Sequence, residues 1–171
     1  VLEGKGDELL RELRLHKIDL IVSNYPSQVL EDAQVYSRSV AKLAVSVYGS
    51  KKHLHLKKSF PQSLDGKPFI FPTAHSKLRH DLNHYFRLHG IHTTSIAETQ
   101  DTSLQKLLAE NGLGLAPFSE VDGGQEHGLV KIGQLKDVYE EIWLISAQRK
   151  LKNPIAAKLM DTFSLPSRFD S

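Results

Sequence analysis

The first chemistry-bearing feature of this chain is its nine histidines in 171 residues. His80 and His84 stand four apart in a helix-periodic segment, a spacing at which two imidazoles on one face can hold a metal. No Glu follows His80, and Leu82 and Phe86 claim the buried face of that segment. His53, His55, His89 and His92 fall near loop or strand ends. No complete ligand set forms, so the reading is a solvated histidine-rich surface without a metal site. Imidazoles titrate near neutral pH, which leaves a pH sensor physically open. Asp19, Ser23, Asn24, Asp101 and Thr102 carry oxygens of the kind sodium would take, but nothing in the sequence gathers them.

Covalent chemistry finds no support. GxSxG, P-loop, GxGxxG and Cys nucleophile patterns are absent, and no spacing brings a base to a nucleophile. We expect no enzyme, no catalytic residues and no cofactor.

The most informative segment is Ile96 to Pro117, IAETQDTSLQKLLAENGLGLAP. It reads as strand, capped helix, glycine stop, strand, Pro. Thr102 with Gln105 fits a capping box. Leu104, Leu107 and Leu108 follow at helical spacing, and Gly112 sits where a helix end needs a left-handed residue. A strand running into a helix N-terminus is how α/β folds hold small polar or anionic ligands.

Other elements alternate in the same way. Asp7 to His16 is expected as a helix with Leu9, Leu10 and Leu13 on one face. Ile18 to Val22 is a continuous apolar run, expected as a central parallel strand covered on both sides. Val35 to Val40 and Leu43 to Tyr48 read as two strands. Lys51 to Gln62, with four Lys and two His, reads as a solvated loop or short helix. Phe69 to Phe71 is a short strand, and Ser76 to His89 a helix with Leu78, Leu82, Tyr85 and Phe86 inward. Leu129 to Ile132 and Glu140 to Ser146 are late strands. Asn153-Pro154 starts a last helix, lined by Ile155, Leu159 and Phe163. The fold class is α/β with mostly parallel sheets built from βαβ units.

Composition is that of a globular domain, with 40% hydrophobic and 25% charged residues. No apolar run approaches the roughly 18 residues of a membrane span, so no membrane partner is expected. No signal segment opens the chain, and the absence of Cys slightly favours the cytoplasm. The chain starts at Val1, so we read it as a fragment or processed piece. A net charge of +2 is too small to argue for a nucleic-acid surface.

The order of these pieces resembles the effector-sensing domain of LysR-type transcriptional regulators. The matching pieces are the opening LEGKGDELL with LRLHKIDLIV, then Ala41 to Gly49, Phe69 to Leu82, the Ile96 to Pro117 segment, Glu140 to Ser146 and Asn153 to Phe163. Within the family, LLxxLxxHKIDLIVS and VYEEIW are most similar to activators of sodium/proton antiporter genes. The resemblance implies a two-lobed fold like the type II periplasmic binding proteins, truncated at its N-terminus. Residues 1–42 and 143–171 would form a partial first lobe and 43–142 the second.

The resemblance also implies a site. The family's cleft uses positions that are here Lys5 and Gly6, Ser23 and Asn24, and Thr73, His75 and Ser76, flanked by Thr102 and Phe118. Hydroxyls, helix-start N–H groups and one Lys suit a carboxylate or small polar ligand, although Ser76 and Thr102 also read as plain caps. The lobes would move about Ala41 and Leu43 on one strand and Ile142 and Trp143 on the other. Expected partners are a small-molecule or ion effector and further copies of the chain, as a dimer or tetramer of the full protein. DNA would be bound only through a missing N-terminal domain. The alternative is a free-standing solute-binding module of the same fold; an enzyme is a distant third.

Overall fold

The computed structural model describes residues 4–24, 35–120, 128–147 and 151–165. Leu2 and Glu3, which open the family-like segment, lie outside them. The chain divides into two compact units, residues 1–42 with 141–171, and residues 43–140. No helix among the described residues is long and apolar enough to cross a membrane.

In the first unit, α1 (Gly6–Arg14) buries Leu13 completely, with Leu9 and Leu10 packed beside it against Ile21 and Ile145. β1 (Leu20–Ser23) follows and pairs antiparallel with the end of β6 (Leu129–Ala147), Leu20 opposite Ser146 and Ser23 opposite Trp143. The expected central parallel strand is therefore corrected to an antiparallel one. Val22 is 61% exposed, so cover on both sides stops short of it. An apolar run encodes burial but carries no strand direction.

α4 (Pro154–Thr162) begins as its sequence requires. Asn153 Oδ1 accepts hydrogen bonds from the N–H groups of Ile155 and Ala156, with Pro154 in the first turn. Its buried face differs from the expected one. Ala156 and Met160 point inward, while Ile155 is 71% exposed and Leu159 39%. The small Ala156 side chain lets the helix close on its neighbours. Met160 meets Val40 and Leu144, with Phe163 beside them. The far end of α4 is held by Arg38 on β2 (Val35–Ser50), whose guanidinium donates to the carbonyls of Met160, Phe163 and Leu159 at 2.8, 2.6 and 3.4 Å.

Two pairs of expected strands are each one strand. Val35 to Tyr48 runs unbroken in β2, and Leu129 to Ser146 in β6. The gap expected in β6 came from its spacing. Ile132, Leu135 and Val138 are buried at intervals of three, which breaks the period-two signature of a strand. Asp137 lies at φ 63° in the middle of it, a conformation that Asp tolerates better than most residues.

The second unit holds the βαβαβ run that the sequence implies. β3 (Pro68–Phe71) leads through α2 (Lys77–Leu88) to β4 (Thr94–Glu98), which pairs parallel with β3. β4 leads through α3 (Thr102–Glu110) to β5 (Ala116–Ser119), and Leu115 just before β5 bridges to Phe69, again parallel. β5 in turn pairs antiparallel with β2, Tyr48 opposite Ala116. The core is aromatic. Phe69 is fully buried, with ring centroids 4.8 Å from Phe71 and 5.3 Å from Phe86. Leu82, Tyr85 and Phe86 supply the inward face of α2, with Leu78 packed against it. Gly112 follows α3 at φ 73°, the left-handed position that glycine takes without strain. On α3 the buried residues are Gln105 and Ala109, whereas Leu104 and Leu107 are 42% and 55% exposed.

Candidate functional site

Because β3 and β4 run parallel, their carboxyl ends lie at one edge of the sheet. Each end leads into a helix N-terminus, α2 after residues 72–76 and α3 after 99–101. Parallel α/β sheets bind ligands at this edge, where backbone N–H groups and the positive helix end converge. Thr73, His75, Ser76 and Thr102 all belong to it.

Ser76 serves its own helix: its hydroxyl accepts from Arg79 N–H at 3.1 Å and donates to the Thr73 carbonyl at 2.9 Å. Thr73 is half-buried, and no hydrogen bond engages its hydroxyl among the described residues. His75 is exposed. Thr102 is the first residue of α3 and not its cap. Asp101 takes that role, its carboxylate accepting from Ser103 and Leu104 N–H at 2.9 and 3.2 Å. The expected Thr102–Gln105 capping box is thus corrected. The Asp101 carboxylate, one position earlier, takes the first free N–H groups, the Gln105 N–H goes to the Asp101 carbonyl at 3.0 Å, and the Gln105 side chain is 94% buried with its Nε2 unpartnered. Phe118 is 2% exposed and packs with Tyr48, Ile70 and Ala109. It is a core residue, with too little surface to meet a ligand.

Two residues at this edge escaped the sequence reading. The Arg79 guanidinium lies 4.0 Å over the Phe71 ring. It donates to the Pro72 carbonyl and to Glu98 Oε2, each at 3.1 Å, and to Asn83 Oδ1 at 3.3 Å. The other Glu98 oxygen accepts from Ala74 N–H at 2.7 Å. Arg79 and Glu98 together tie residues 72–74 to β4. Nothing local marks them, since Arg79 and Glu98 are nineteen residues apart. Removing the Arg79 side chain strips a charged donor from a mostly buried cluster, its side chain being 16% exposed. We expect Arg79→Ala to lower stability by about 1.5–3 kcal/mol, read from urea unfolding. Glu98→Gln keeps an acceptor for Ala74 and should lose less than about 1 kcal/mol.

The remaining expected site residues lie in the other unit. Lys5 and Gly6 are exposed at the start of α1, whose N-terminus has no side-chain cap and carries Asp7 and Glu8 in its first turn. Those two carboxylates already complement the helix dipole. Ser23 ends β1, half-buried, and Asn24 follows it, exposed. The candidate sodium oxygens divide likewise: Asp19, Ser23 and Asn24 in this unit, Asp101 and Thr102 in residues 43–140. Asp19 accepts from Asn153 Nδ2 at 3.3 Å and Asp101 caps α3. Among the described residues no group of three His, Asp or Glu could hold a metal. The hinge candidates lie within unbroken strands, Ala41 and Leu43 buried in β2, Ile142 and Trp143 half-buried in β6. Lys42 and Glu141 approach to 4.0 Å beside them.

One histidine has a displaced titration. Burial pushes the His53 imidazole below its ordinary pKa, and the charges of Lys52, His55 and Lys67 push the same way. The folded protein therefore favours the neutral ring. The unfolded chain takes up a proton from about pH 6.5 downward. Stability from this group is complete above that pH and is lost as the pH falls toward the folded value. We expect the urea midpoint to drop between pH 7.5 and 5.5, and to drop less in His53→Asn.

Comparison with known proteins agrees with this architecture. Residues 1–164 match the family model described as the LysR substrate binding domain. The transcriptional activator protein NhaR of Escherichia coli (strain K12) is 26% identical over 163 residues, 94% of this chain and 54% of NhaR. The chain thus spans about half the length of the curated relatives it matches. Among solved structures, the cofactor-binding domain of the Cbl transcriptional regulator superposes with a TM-score of 0.78 at 17% identity, covering 95% of this chain and 73% of that one. The regulatory domain of HypT from Salmonella typhimurium gives 0.71 at 15% identity, covering 91% and 75%. These neighbours share the periplasmic-binding-protein-like α/β fold, and the matched proteins are transcriptional regulators, not enzymes. The chain belongs to the LysR substrate-binding domain family, the effector-binding part of LysR-type transcriptional regulators.

Proposed function

We propose that this chain is the effector-sensing domain of a NhaR-like activator of sodium/proton antiporter genes, responding to sodium, pH or a small polar ligand. The observation that carries the reading is the 26% identity to NhaR maintained across 94% of the chain. The geometry supports an effector at the carboxyl edge of β3 and β4, where two helix N-termini and the Thr73 hydroxyl are available. Lys5, Gly6, Ser23, Asn24, His75, Ser76 and Thr102 complete the candidate set. Effector binding would shift the population of conformations about Ala41, Leu43, Ile142 and Trp143. DNA is contacted by another part of the full protein, which works in the cytoplasm as a homo-oligomer.

The test is a reporter driven by an antiporter-gene promoter, with the full-length protein supplied in trans. The proposal expects induction by added sodium or a pH step, and none by potassium at equal ionic strength. A protein that activates the promoter identically under all of these conditions is not a sodium or pH sensor.

A further inference from the structure

Residues Lys51–Ser59, KKHLHLKKS, form a 3-10 stretch in the second unit. A 3-10 helix repeats every three residues, and this one buries His53 and Leu56 at 8% and 4% exposure. The outward positions are therefore Lys51, Lys52, Leu54, His55, Lys57 and Lys58, all exposed. The stretch is fixed in place: Ser63 Oγ donates to the Leu56 carbonyl at 2.6 Å, and His55 Nδ1 lies 2.8 Å from the Lys52 carbonyl. Among the described residues, no hydrogen bond or ion pair engages the ammonium groups of Lys51, Lys57 or Lys58. The neighbouring acid, Asp65, is turned to His92, accepting from its N–H at 2.7 Å.

A face kept only for solubility mixes both signs of charge. This one holds four lysines in eight residues with no acid between them. Their mutual repulsion is retained in a segment held by these hydrogen bonds, and Lys52 among them bears on the buried His53 ring. At about 2 Å rise per residue, the two lysine pairs stand roughly 12 Å apart, with Leu54, 44% exposed, between them. We propose that this face is a docking surface for an acidic segment of a partner protein, with carboxylates on the lysine pairs and an apolar side chain on Leu54. Leu54 favours a peptide among anionic partners, because a peptide can set a whole apolar side chain against it between two carboxylates. The small net charge of +2 also gives little general attraction for a duplex. This surface is independent of the effector reading.

The test is fluorescence anisotropy of the 171-residue chain with a labelled synthetic peptide, a run of Asp and Glu around a central Leu-Phe. We expect saturable binding that weakens with salt. Lys51→Gln/Lys57→Gln/Lys58→Gln should weaken it about tenfold or more, and Leu54→Ala about threefold, with unchanged melting. Should the triple variant melt early, Lys57→Gln/Lys58→Gln must still weaken binding. The proposal is overturned if binding does not saturate or if the lysine variants bind like the parent chain. It is also overturned if a leucine-free acidic peptide binds equally well, or if duplex DNA of equal charge binds more tightly.

Discussion

Phe69→Ala should remove about 3–5 kcal/mol of stability, the largest loss we expect from a single truncation. Phe69 is fully buried, and its ring joins β3 to α2 through Phe71 and Phe86. Its backbone also faces both parallel neighbours, Ser95 of β4 and Leu115 before β5. For a chain of this length the loss corresponds to a melting temperature roughly 6–20 °C lower. Phe69→Leu retains most of the volume and should lose less than about 1.5 kcal/mol. Urea unfolding of both variants checks the assignment. A Phe69→Ala protein within 1 kcal/mol of the parent would place the core elsewhere.

Arg38→Ala should cost about 2–3 kcal/mol, because a charged donor serves the otherwise free carbonyls of Met160 and Phe163 at the end of α4 and reaches that of Leu159, which also accepts from Phe163 N–H. The cation also sits at the negative end of the helix dipole. The effect should be local. Amide exchange should accelerate through Pro154–Thr162 while α2 keeps its protection. Arg38→Lys keeps the charge but not the fork of donors, and should recover part of the loss. Equal exchange in both helices would show that Arg38 is no cap.

These two residues mark what the sequence can and cannot reveal. Phe69 lies in a short apolar run before Pro72, so its burial was legible from the pattern alone. So were the Ser76 cap, the inward face of α2, the glycine after α3 and the Asn153-Pro154 start of α4, all set by residues within a turn of each other. Arg38 and its carbonyl partners are more than 120 residues apart, and no periodicity joins them. A separation of nineteen residues is already enough to hide the Arg79–Glu98 tie. Strand direction was hidden too: Ile18 to Val22 reads the same whether its neighbour runs parallel or antiparallel. The joined strand β6 was obscured because burial at every third residue imitates neither a strand nor a turn. At the candidate edge, Thr73, Ser76 and Thr102 were singled out because they match the cleft positions of the family that the sequence resembles. The choice of Asp101 over Thr102 as cap was not legible, since both residue types suit that role.

The most direct test of an effector site at the β3–β4 edge is a thermal-shift measurement on the full-length protein, with and without Thr73→Val. Sodium, lithium and a panel of small carboxylates are compared with potassium at equal ionic strength. A ligand at a hundred times its Kd adds about 2.7 kcal/mol to the domain that binds it, a rise of several degrees in that domain's melting. Thr73→Val keeps the side-chain volume and removes a hydroxyl that caps nothing, so the unliganded protein should melt as the parent does. The account predicts that at least one of these compounds raises the parent's melting temperature and that Thr73→Val abolishes most of the rise. An identical rise in Thr73→Val, or no rise with any of them, would contradict it.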